Sequence, residues 1–202
     1  LDNLKKIMEE YFLTKSSLTL LEQNIVNKIT EESWMELATD LIRCGQPASG
    51  NALDPDLPNG EEEAIAHMVA GELKDMGFKV EMPTKTVGRP NVIGRIKGSN
   101  GPSLMINDHL DTYPVVEPEK WDKTNYDPFD ATRHGNQLYA RGTSDTRGNL
   151  ASALLALRAV TSEKIKLQGE LIACFTVDEE RDGTDGSIFM VEEKKLKPDY
   201  SI

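Results

Sequence analysis

The chain has 202 residues and a formal net charge of −11, from 23 basic and 34 acidic side chains, a balance that argues against nucleic acid or another polyanion as partner. It is 38% hydrophobic, enough for one substantial core, and no apolar run approaches the ~18 residues that a membrane span needs. The opening stretch LDNLKKIMEEYF is amphipathic and does not read as a signal peptide. Cys44 and Cys174 lie far apart and neither has a CxxC partner, so no zinc-finger or dithiol redox motif is present. A reducing cytoplasm is the expected compartment.

Apolar residues at helical spacing predict helices over 3–13, 18–29 and 31–43. A loop dense in Gly, Pro, Asn and Asp follows, CGQPASGNALDPDLPNG. Glu61, Glu62 and Glu63 open a helix over 61–76, where their charge suits the positive N-terminus; its stripe is Ile65, Met68, Val69, Leu73 and Met76, and Gly77 is placed to end it. Strands are expected at 78–82, 91–97 and 103–107, then a long connection over 111–136. The helix 148–160 is apolar on nearly every side and is read as buried, as is the strand 170–177. Residues 184–195 read as helix, and DYSI starts another strand. Helices alternating with buried strands predict an α/β fold, with a largely parallel sheet and helices on both faces.

In such sheets sites gather at the C-terminal ends of strands. The stretch NDHLDTYP puts His109 and Asp111 where the strand 103–107 runs out. Asp145 stands between a short strand and the buried helix. Asp178, Glu179 and Glu180 lie just past the strand 170–177, and Asp199 opens the last strand. His109, Asp145, Glu179, Glu180 and Asp199 are therefore expected to meet on one rim. Carboxylates around one imidazole suit Zn²⁺, Co²⁺ or Mn²⁺, and one carboxylate can bridge two ions. Without metal, so much like charge would raise pKa values and lower stability. In the Glu179–Glu180 pair, neighbouring side chains point to opposite sides, so one can bind metal while the other acts as base. Asp111 is placed to orient the histidine from behind. His67 and His134 read as an exposed residue and a turn residue.

The order HLD, W…PF, LYARGTSDTRGN, TVDEE and PDY resembles the M20 family of metallopeptidases and deacylases over roughly residues 31–202. Trp121, Pro128 and Phe129 fall in the segment between the first two motifs, and Gly60, Glu61 and Glu62 also fit. The resemblance implies a three-layer catalytic domain of the co-catalytic zinc-exopeptidase kind, of which 1–202 is the N-terminal segment. It implies two divalent ions, Zn²⁺ foremost, with Co²⁺ or Mn²⁺ possible. His109 and Asp199 would hold the first ion, Asp145 would bridge, and Glu180 would hold the second. Glu179 would be the general base, with Asp111 behind His109 and a cis peptide after Asp145. The implied reaction is hydrolysis of an amide, removing an acyl group from an N-acyl amino acid or cleaving a small peptide by a metal-activated water. An aminopeptidase or dipeptidase of the related zinc type, or a truncated relative without activity, stays open.

Two positions depart from the pattern. Asp108 replaces the small residue that usually precedes the histidine, and Arg147 stands where lysine is usual. The family's remaining histidine ligand and its lid domain, through which a homodimer would form, have no counterpart in this sequence. The 202-residue chain alone is therefore expected to be inactive.

Overall fold

The computed structural model describes residues 18–44, 62–115 and 117–202. The helix expected at 3–13 and most of the loop before residue 62 lie outside them. Helix α1 (Leu20–Asn27) is started by a reciprocal cap in which the Thr19 hydroxyl accepts from the Glu22 amide and the Glu22 carboxylate accepts from the Thr19 amide. Helix α2 (Glu31–Arg43) is capped in the same way by Thr30 and Ser33. It buries Met35, Leu37, Ala38, Leu41 and Ile42. Helix α3 (Glu63–Asp75) buries Ile65, Ala66, Val69, Ala70 and Leu73. Gly77, at φ +88°, ends it in the left-handed conformation that glycine adopts without a Cβ clash.

Strands β1 (Lys79–Glu81), β2 (Val92–Ile96), β3 (Leu104–His109), β6 (Leu171–Thr176) and β7 (Tyr200–Ser201) form one sheet in the order β1-β2-β6-β3-β7. The expected long connection contains the start of a separate hairpin, β4 (Thr132–His134) with β5 (Gln137–Tyr139). The main sheet is mixed rather than largely parallel. β3 runs parallel to β6 and to β7, whereas β1–β2 and β2–β6 are antiparallel. No helix separates β1 from β2, so their connection is a return loop and not the crossover that parallel neighbours require.

β6 shows why the run LIACFT is apolar without alternation. Leu171, Ala173 and Phe175 pack into a core with α2, α3 and α4 (Gly148–Ser162). Ile172 and Cys174 face the other way, into a second cluster with Phe189 and Met190 of α5 (Ser187–Glu192). Both faces are covered, which gives three layers and a strand buried over Leu171 to Phe175. On the α4 side, Trp34 donates its indole N–H to the Gly148 carbonyl at 3.0 Å. A Cβ on Gly148 would lie 2.3 Å from the Thr143 carbonyl oxygen, so only glycine lets α4 start this close beneath the preceding turn. Among the described residues no helix is long and apolar enough to cross a membrane.

Candidate metal centre

The parallel pairing of β3 with β6 brings their two C-terminal ends together. His109 pairs with Thr176, and the Leu110 amide donates to the Thr176 carbonyl at 2.7 Å. His109 is the last residue of β3, and Glu179 and Glu180 follow β6 by three and four residues. A third segment enters from the widened turn Thr143–Arg147, whose Asp145–Thr146 bond is cis.

These three segments deliver one group. His109 Nε2 is 3.0 Å from Asp145 Oδ1, and one donor atom each from His109, Asp145 and Glu180 all lie within 4.8 Å of one another. Glu179 Oε2 is 3.6 Å from the same imidazole nitrogen but is not one of the three.

Behind the imidazole, His109 Nδ1 is 3.1 Å from the Asp111 carbonyl oxygen and 3.4 Å from its carboxylate. Asp111 is fully buried. Its carboxylate also accepts the amides of Glu179 (3.2 Å) and Glu180 (3.0 Å). It therefore fixes the histidine and the acidic turn together, a wider role than the spacing suggested.

Carboxylates crowd the imidazole from several sides. Burial alone would lower the His109 pKa, but the Asp111, Glu179 and Asp108 carboxylates outweigh it and raise the imidazole to about 9. Glu180 is pushed up by its burial and by Asp145 and Asp111, and its Oε1 is buried with no hydrogen-bond partner. One imidazole, two carboxylates and a buried carboxylate oxygen left without a partner fit a divalent ion by their donor chemistry.

Asp199 is a correction. Its carboxylate accepts the amide and hydroxyl of Ser103 at 2.7 and 2.8 Å, before β3 begins. Tyr200 pairs with Leu104 in a parallel register, so His109 lies five residues further along, about 17 Å away at the usual strand rise. Asp199 stands at the opposite rim and cannot share an ion with His109. The other histidines stay apart from the group: His67 is exposed, and His134 contacts the Lys123 carbonyl at 2.9 Å.

One residue beneath the site, Arg89, was not singled out from sequence, and Arg147 takes a place that its motif did not indicate. Arg89 lies under the acidic turn and donates to both Glu62 oxygens (2.8 and 3.0 Å), to Asp178 (2.9 Å) and to Asp185 (3.3 Å). Glu62, Arg89 and Asp178 are all buried, so the residue just before Glu179 is held by an internal ion network. Arg147 is fully buried and donates to the Leu41 carbonyl. Its burial lowers the guanidinium pKa to about 10. It braces the start of α4 against α2.

Residues 105–202 match the family Peptidase family M20/M25/M40. The N-formyl-4-amino-5-aminomethyl-2-methylpyrimidine deformylase of Bacillus subtilis (strain 168) is 33% identical over 153 residues, covering 74% of this chain and 33% of that protein. The succinyl-diaminopimelate desuccinylase of Methylobacterium sp. (strain 4-46) is 34% identical over 164 residues, covering 79% of this chain and 38% of that protein. The crystal structure of an M20 family metallo-carboxypeptidase, Sso-CP2 from Sulfolobus solfataricus, superposes with a TM-score of 0.66 at 26% identity, over 84% of this chain and 36% of that one. The chain belongs to the M20/M25/M40 peptidase family. It spans between a third and two fifths of the length of these relatives.

Proposed function

We propose that the protein to which this chain belongs is a metal-dependent amidohydrolase. It would remove an acyl group from an N-acyl amino acid or cleave a small peptide. The observation that carries this reading is the convergence of His109, Asp145 and Glu180 within 4.8 Å, with a further carboxylate, Glu179, beside the same imidazole. The names of the relatives denote removal of a formyl and of a succinyl group, which supports a deacylase.

His109, Asp145 and Glu180 would hold divalent metal, and Zn²⁺ suits one imidazole with carboxylates best, with Co²⁺ and Mn²⁺ compatible. Two ions are proposed, which these residues would help to hold. Bound metal would supply Lewis-acid polarisation of the scissile carbonyl and a lowered pKa for the attacking water. Asp111 holds the His109 ring and the two glutamate amides still. Glu179, whose side chain is 59% exposed, is free to take a proton from water and return it to the leaving amine.

The chain would form the N-terminal segment of the catalytic domain, and the full-length protein would dimerise through a lid domain. Both described cysteines are free, in keeping with a reducing cytoplasm. The test is zinc content of the full-length protein beside hydrolysis assays on N-formyl, N-acetyl and N-succinyl amino acids and on dipeptides. Bound zinc with turnover of one of these classes is expected. Turnover that survives complete metal removal would overturn the reading.

A further inference from the structure

Asp108 is one of the two positions at which the sequence departs from the family resemblance, and its contacts assign it a purpose. Its Oδ1 accepts two hydrogen bonds, from the His109 backbone amide at 2.8 Å and from the Thr146 hydroxyl at 2.8 Å. The first donor belongs to the residue that carries the imidazole at the end of β3. The second belongs to the residue that follows Asp145, 38 positions along the chain. One oxygen therefore joins the two segments whose side chains meet at His109 Nε2 and Asp145 Oδ1, 3.0 Å apart. Thr146 Oγ1 in turn accepts from Asn149 Nδ2 at 3.4 Å, which extends the tether into the first turn of α4.

We propose that Asp108 is a positioning residue for the metal group, holding His109 and Asp145 at ligand spacing through this shared acceptor; the inference rests on the metal reading above. Asp108 is not itself in the three-residue group. What the tether requires is an oxygen that can accept twice, not a negative charge. An asparagine carbonyl has the two lone pairs for that, whereas alanine has no acceptor. A ligand role would make the opposite demand, since the neutral amide is a poor substitute for a carboxylate on a divalent ion.

The experiment uses the full-length protein. Zn²⁺ affinity is measured by competition with a chromophoric chelator, and the visible absorption of the Co²⁺-loaded protein reports ligand geometry. Asp108→Ala is expected to weaken Zn²⁺ binding on the order of 10–100-fold, the usual effect of losing a partner that orients a ligand, and to alter the Co²⁺ spectrum. Asp108→Asn is expected to stay close to wild type in both. Thr146→Val, which removes one of the two donors, is expected to weaken binding by less than Asp108→Ala. Combining it with Asp108→Ala should add nothing, because both act through one tether. Should Asp108→Ala fail to fold by thermal melting, Thr146→Val and Asp108→Asn still decide the matter.

Unchanged affinity and spectrum in Thr146→Val and Asp108→Ala would overturn the tether while leaving the metal centre intact. An Asp108→Asn variant as damaged as Asp108→Ala would make Asp108 a ligand instead. A wild-type protein that binds no Zn²⁺ would overturn the metal centre itself, and this inference with it.

Discussion

Asp111 and Glu180 are joined by a hydrogen bond of 3.0 Å in which the Glu180 backbone amide donates to Asp111 Oδ2. The other Asp111 oxygen accepts from the Glu179 amide. One buried carboxylate thus sets where both glutamates stand relative to His109. In Asp111→Asn the side-chain NH₂ would face one of these amides, leaving a buried donor unpaired at about 1–3 kcal/mol. Metal affinity should fall on the order of 10–100-fold without vanishing. Zn²⁺ titration with denaturant unfolding checks both figures. Direct coordination of metal by Asp111 in a crystal structure would refute this assignment.

Glu179 and Glu180 are neighbours with different surroundings. Glu180 has a buried oxygen without a partner, while the Glu179 side chain is 59% exposed. In the full-length enzyme, Glu179→Gln should therefore keep its metal and lose at least ~10²-fold in kcat, the contribution of a positioned base. Glu180→Gln should lose metal. Metal analysis and steady-state kinetics on the two variants separate the roles; near-full activity in Glu179→Gln would remove it from proton transfer.

The meeting of His109 with Glu180 was legible in the sequence because parallel topology could be inferred. His109 and Glu180 follow strands that run the same way side by side, and the rule that sites form at C-terminal strand ends places them together. Asp199 failed by the same rule: it precedes β7, and the start of a parallel strand lies on the far rim. The antiparallel edge was missed because short strands leave no mark of direction. Arg89 was missed because a charged residue in the turn TVGRPN reads as solvent-facing, yet it is only 5% exposed. Its burial depends on Glu62 and Asp178, which are 27 and 89 positions away, and no local pattern reports such a pairing.

That network yields a stability prediction. Arg89→Met would leave Glu62 and Asp178 buried without their cation, and breaking a buried ion pair from one side costs ~3–5 kcal/mol. Arg89→Lys keeps the charge but loses the two-pronged grip on Glu62, so it should fall between. Denaturant midpoints at neutral pH measure this. A midpoint for Arg89→Met equal to that of wild type would show that the network contributes nothing to folding.

Cys174 gives a pH prediction. Burial in β6 raises its thiol to about 12, whereas an unfolded cysteine ionises near ~8.5. Between these values the native state holds a proton that the unfolded state has released, so stability falls as pH rises. The contribution is intact below the unfolded value and lost progressively towards about 12. Denaturant midpoints of wild type and Cys174→Ala should therefore converge as pH is raised from 8 to 10, and Cys174 should resist alkylation in the native protein at neutral pH. Rapid alkylation of native Cys174 would contradict its burial.

The proposed ion-binding group joins His109 and Glu180, at and just beyond the C-terminal ends of β3 and β6, to Asp145 of the turn Thr143–Arg147. Isothermal titration of Zn²⁺ into the full-length wild type, His109→Ala and Asp199→Ala tests it most directly. Binding should collapse in His109→Ala and remain at the wild-type level in Asp199→Ala, whose carboxylate is engaged by Ser103 at the other rim. Loss of the ion in Asp199→Ala with native melting behaviour, or wild-type affinity in His109→Ala, would contradict the account.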